Sequence, residues 1–109
     1  MNAPKKYTCQ EVQDLPDTIS EDTIYIVGKN GHLWYVAMKC PCSCSDIIYL
    51  NLVEDTWPYW KIFQTRKGIS LNPSVWRTKG CKSHFIVNKG KIIWCNDYNR
   101  HSAFYYRRL

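Results

Sequence analysis

No stretch of this chain comes near the roughly 18 consecutive apolar residues that a helix needs to cross a bilayer, so a membrane-spanning helix is excluded. Lys5 and Lys6 are not followed by the apolar segment of a secretory leader, which sets the expectation of a soluble, cytoplasmic protein. Internal repeats and low-complexity tracts are absent, which argues against repeat architectures and flexible linkers. Long runs of one charge are missing as well. The net charge of +6 comes from scattered Lys and Arg, with short clusters only at Lys5-Lys6, Arg66-Lys67 and Arg107-Arg108. A surplus spread in this way describes a solvated basic surface better than a nucleic-acid stripe.

What the chain does contain is material for a folded core. Apolar residues make up 45% and aromatics 15%, far from the polar, aromatic-poor composition of disorder. Most of the tryptophans sit beside Ile, Val and Leu in strand-like patterns, which reads as packing more than as base stacking. A chain of 109 residues supports one hydrophobic core, so we expect a single domain over residues 1–109.

Three hairpins are expected. The run TIYIV at residues 23–27 and the run HLWYVAM at 32–38 flank the turn residues 28–31. YWKIF at 59–63 and ISL at 69–71 flank Arg66-Lys67-Gly68, and SHFIV at 83–87 and KIIWC at 91–95 flank Asn88-Lys89-Gly90. A further strand follows at 47–52. The predicted fold class is therefore β-rich, a small α+β domain whose hairpins form an antiparallel sheet or a partly open barrel with little helix. Weak helix signals lie at residues 8–15, where Thr8 and Glu11 have capping-box spacing, near residues 74–78, and in the tail from Asp97.

The stretch CPCSCSD at residues 40–46 places Cys40, Cys42 and Cys44 at the end of a predicted strand and follows them with Asp46. A reducing compartment favours free, metal-bound or catalytic thiols over disulfides. Cys81, just after Gly80, is a natural fourth ligand for a closed, four-thiolate zinc site. Alternating thiols in an extended chain point to opposite faces, so all three can meet one ion only if the loop coils. Small buried thiols, disulfides, and nucleophilic or redox chemistry are the competing readings. For Cys9 and Cys95 a buried thiol is the simplest reading.

The second constellation is GCKSHF at residues 80–85. On a strand, Cys81, Ser83 and Phe85 share one face and Lys82, His84 and Ile86 the other, so Ser83 and His84 are poor direct partners. A hydrolase using His84 as general base would draw its nucleophile from elsewhere. Ser74, in the turn-like stretch NPSVW at 72–76, is the candidate, with Asp46 orienting the imidazole. Ser83 stands in reserve should the strand start later. His84 also reads as a zinc ligand beside Cys81, or as a packed histidine. His32 and His101 have no evident partner.

Taken in order, CPCSCSD, LNL at 50–52, PYW at 58–60, GISLNPSVW at 68–76, GCKSHF and GKIIW at 90–94 resemble the BubE group, a small bacterial and phage family encoded with ubiquitin-like conjugation operons. The resemblance covers residues 23–95 and leaves 1–22 and 96–109 as peripheral segments. The family pattern reads C-P-C-G-C-G followed by an acid, then P-S and C-x-S-H-F. Ser43 and Ser45 stand here where the family has glycine, which matters if those positions need positive φ. The resemblance implies a serine peptidase that processes or removes a ubiquitin-like protein. Ser74 or Ser83 would attack the carbonyl after a Gly-rich C-terminal tail, with His84 as the proton carrier and Asp46 as the acid. It implies at most a structural zinc on Cys40, Cys42, Cys44 and Cys81, and no organic cofactor. The alternative is a non-catalytic zinc-stabilised β module that binds a protein partner or nucleic acid. A cysteine-dependent hydrolase or redox protein is the third reading.

Overall fold

The computed structural model describes residues 6–78 and 80–95, and the backbone of 106–108. Its described residues form ten strands and no helix. β1 (Thr8–Val12), β2 (Thr23–Lys29), β3 (His32–Lys39) and β4 (Ile47–Asn51) make one sheet in that order. β5 (Lys61–Thr65) and β6 (Gly68–Asn72) form a separate hairpin. The third sheet runs β10 (Tyr106–Arg108), β7 (Ser74–Trp76), β8 (His84–Asn88), β9 (Lys91–Trp94). None of the three sheets closes into a barrel.

The expected hairpins form for local reasons. β2 and β3 are joined through Asn30 and Gly31 at φ of 53° and 81°, the left-handed pair a tight two-residue hairpin turn requires. β8 and β9 turn through Lys89 and Gly90 in the same way, at φ of 52° and 81°. β5 and β6 turn through Arg66 and Lys67, and Gly68 then takes φ 131°. A side chain at Gly68 would lie 2.7 Å from the Lys89 carbonyl, so only glycine lets these two turns touch.

One apolar cluster joins the three sheets. Ile24, Ile26, Val36, Met38, Ile48 and Leu50 of the first sheet cluster with Ile69 and Leu71 of the second and Val75, Phe85 and Val87 of the third, with Trp60 among them. The opposite face of the first sheet is also covered, because Tyr25 and Ala37 pack against Ile19, Val12 and Leu15. Burial on both faces explains why β2 reads as a continuous apolar run and not an alternating one. The segment 51–60 has no strand of its own. It is held by Asn51, whose amide donates to the carbonyls of Val53, Thr56 and Pro58 while its oxygen accepts from the Val53 N–H.

The structure corrects two helix expectations. Residues 8–12 are a strand parallel to β2, in register from Thr8 opposite Thr23 to Val12 opposite Val27. A capping box offers a few local hydrogen bonds; pairing with β2 offers a ladder, and Tyr7 just before it is buried in the main core. Residues 74–76 are likewise a strand, because Val75 fills the core opposite Phe85. The tail expectation from Asp97 lies largely outside the described residues; its described part, 106–108, is a strand parallel to β7. Parallel edge pairs therefore flank an otherwise antiparallel arrangement.

Candidate functional site

β3 ends at Lys39 and the chain coils at once. The Cys40 N–H donates to the Asp46 carbonyl at 2.8 Å and the Ser43 N–H to the Cys40 carbonyl at 3.2 Å. Ser43 and Ser45 adopt φ of 71° and 72°. The coil they make turns the alternating thiols toward one point. Cys81 reaches the same point from the turn before β8, where Lys82 is also left-handed at φ 55°.

The sulfur atoms of Cys40, Cys42, Cys44 and Cys81 all lie within 4.8 Å of one another. Cys40 Sγ is 3.4 Å from Cys42 Sγ and 3.6 Å from Cys81 Sγ. Four sulfurs about 2.3 Å from a central ion would sit about 3.8 Å apart, so the donor set fits a tetrahedral thiophilic metal. All six cysteines are free thiols. Burial pushes the Cys40 thiol up to about 12. Burial also acts upward on Cys81, but hydrogen bonds from the Ser83 hydroxyl and backbone and from Cys42 and Cys40 outweigh it and bring the thiol down to about 6. The cluster thus has a built-in preference for a thiolate at Cys81.

Ser83 belongs to this cluster. Its hydroxyl is 3.1 Å from Cys81 Sγ and 3.7 Å from Cys40 Sγ. His84, the next residue, points to the other face, as strand alternation requires. There its Nε2 lies 3.1 Å from the Ser74 hydroxyl. Trp76 sits opposite His84 in the β7–β8 ladder and stacks on the imidazole, with ring centroids 5.1 Å apart and planes 17° from parallel. Ser74 is 5% exposed, so water competes little for its bond to the ring. Its backbone carbonyl is anchored by the buried Trp60, whose indole N–H donates to it at 3.2 Å.

The structure does not bring Asp46 to His84. Its carboxylate pairs with Arg77 at 3.1 Å, on the thiol side. Arg77 also directs its other terminal nitrogen at Cys81 Sγ, 3.3 Å away, and at Cys44 Sγ, 3.6 Å away. The guanidinium is held well above its ordinary range: burial pulls the other way, but the Cys40 and Asp46 hydrogen bonds prevail. In the sequence alone, Arg77, Trp76 and Trp60 carry no sign of a role at a site. Trp76 becomes visible once residues 74–76 are read as a strand antiparallel to β8; nothing local marks Arg77. Cys9 and Cys95 stand apart from the cluster and are half-buried; Cys9 Sγ lies 3.6 Å from the Gln64 side-chain oxygen.

No curated protein and no solved structure matches the chain. A family profile described as "Bacterial ubiquitination-like system serine protease (BubE)" matches residues 11–95, well over half the chain, and spans the thiol loop, Ser74, Ser83 and His84. The chain therefore belongs to the BubE family, the serine proteases of bacterial ubiquitination-like systems.

Proposed function

We propose that this protein is a serine peptidase that cleaves at the C-terminal tail of a ubiquitin-like protein, with Ser74 as nucleophile and His84 as general base. The observation that carries this reading is the 3.1 Å contact between Ser74 Oγ and His84 Nε2. Ser74 Oγ attacks the carbonyl of the residue ending the tail and passes its proton to His84 Nε2. The protonated imidazole then gives that proton to the leaving amine. Water, activated by the same nitrogen, releases the acyl group. Stacking on Trp76 holds the ring plane toward Ser74, a positioning role that geometry offers to Trp76 more readily than to Asp46.

Cys40, Cys42, Cys44 and Cys81 would hold one zinc ion. Bound by four thiolates it has no open position and supplies a structural cross-link between the coil after β3 and the start of β8. Ser83 and Arg77 would donate hydrogen bonds to its sulfurs and offset their charge. Because Ser83 and His84 are consecutive, that cross-link fixes the ring that faces Ser74.

Labelling with a serine-directed fluorophosphonate tests the reading. Ser74→Ala should abolish labelling, and His84→Ala should slow it by at least about a hundredfold. Ser83→Ala should label at near the native rate while binding metal more weakly. Labelling that survives Ser74→Ala would overturn the assignment.

The four-thiol geometry also supports a second reading, a zinc-stabilised module that binds without catalysis. One equivalent of zinc with no labelled serine and no cleavage of a ubiquitin-like tail would favour it.

A further inference from the structure

We propose a second binding site, for a compact anion carrying several phosphate groups, at the end of β8 remote from His84. A cavity of about 440 Å³ is lined there by Lys6, Arg66, Lys67, Asn88, Lys89 and Lys91. Five of the six lining residues are cationic and none is acidic. Among the described residues the one ion pair is Arg77 with Asp46, so none of these five has a carboxylate partner. Asn88 is four residues along β8 from His84, about 13 Å at about 3.3 Å per residue, which separates this cavity from the proposed catalytic pair.

The charges converge because the backbone forces them together. The Gly90 N–H donates to the Ile69 carbonyl at 2.7 Å, and the Tyr7 N–H donates to the Gly90 carbonyl at 2.6 Å. The Lys89 N–H donates to the Ser70 hydroxyl at 2.8 Å. Gly68 permits the contact between the two hairpin turns, and Lys6 packs against Gly90. Three chain segments, each bringing cations, are thereby locked around one hollow. Like charges held close repel one another, and an anion in the hollow relieves that repulsion.

The shape selects the class of ligand. A volume of about 440 Å³ lies in the range of small-molecule sites. The lining has no aromatic residue on which a base could stack, and the cations ring a hollow instead of tracking a strand. Several phosphate oxygens within one small ligand match this arrangement through charge-assisted hydrogen bonds from lysine and arginine. Asn88 adds an amide that can reach an oxygen on the rim.

Titration calorimetry on the full chain with inorganic tripolyphosphate is the test. One site should bind it, and sulfate at matched ionic strength should bind about tenfold or more weaker. The double substitution Lys67→Ala and Lys89→Ala, at two exposed turn residues, should weaken tripolyphosphate by at least about tenfold with the melting temperature of the free protein no lower than that of the native chain. Lys61→Ala, an exposed lysine outside the cavity, should bind as the native chain does. Equal affinity for sulfate, or native affinity in the double variant, would overturn the proposal. So would binding confined to single-stranded oligonucleotides with affinity that grows with their length, which would make the patch a nucleic-acid surface.

Discussion

Two serines show most directly how single residues shape this site. Ser43 and Ser45 both occupy left-handed φ, a conformation that favours glycine. A side chain in that region costs free energy that glycine does not, and the loop keeps the conformation because it is what gathers the thiols. Ser43→Gly and Ser45→Gly should each stabilise the fold by about 0.5–1 kcal/mol, after allowance for the greater freedom of glycine in the unfolded chain. Denaturant unfolding measures this, and metal affinity should not fall. Tyr7 makes a second prediction. Burial first, then the nearby Cys40, Asp22 and Glu21, push its phenol up to about 12. An acid with a raised folded value contributes stability that is whole below its unfolded value of about 10 and is lost as pH rises toward 12. Melting temperatures across that window should fall more steeply for the native chain than for Tyr7→Phe.

At the scale of elements, β8 is the pivot. Strand alternation sends Ser83 to the thiols and His84 to Ser74, so a one-residue slip would exchange their partners and dismantle both halves of the site. Parity of this kind is legible in the sequence, which is why Ser83 and His84 could be separated beforehand. The partner strand was not legible. Residues 74–76 are only three long and follow Pro73, too short a run for periodicity to reveal a strand. Trp60 links the elements beneath. Trp60→Phe should cost about 2 kcal/mol from the lost hydrogen bond and the void, and should slow labelling of Ser74 by releasing its carbonyl. Arg77→Met should lower zinc affinity by about 10–100-fold, read by competition with a chelating dye, because the sulfurs lose a cationic donor. Arg77→Lys should recover part of that loss.

For the whole molecule, a metal held by the thiol cluster would add a cross-link between the first and third sheets, which otherwise meet through the apolar core and through backbone hydrogen bonds such as that from the Tyr7 N–H to the Gly90 carbonyl. Cys40 belongs to both the core and the thiol cluster, since it is buried in the core cluster and reaches Cys81 across the interface. Removal of zinc by a chelator should therefore lower the melting temperature by about 10 °C or more, equivalent to about 2 kcal/mol for a chain of this size. Below the new melting temperature the serine should still label, but more slowly, because the metal would help to hold the His84 ring while taking no part in the proton transfer.

The sequence by itself determined the β-rich class, the three hairpins, the thiol set and the membership signalled by the order of its motifs. Most of this is written in local residues, as turn chemistry, alternation and three cysteines on one coil; Cys81 joins them only through the fold. Tertiary structure alone decided the partners across long separations. It put Asp46 on Arg77 and not on His84, brought β1 and Tyr7 into the fold, and set three cationic segments around one cavity. Those outcomes depend on how sheets stack and where turns touch. Core packing and backbone hydrogen bonds between distant segments make that choice, and no short stretch of residues encodes it.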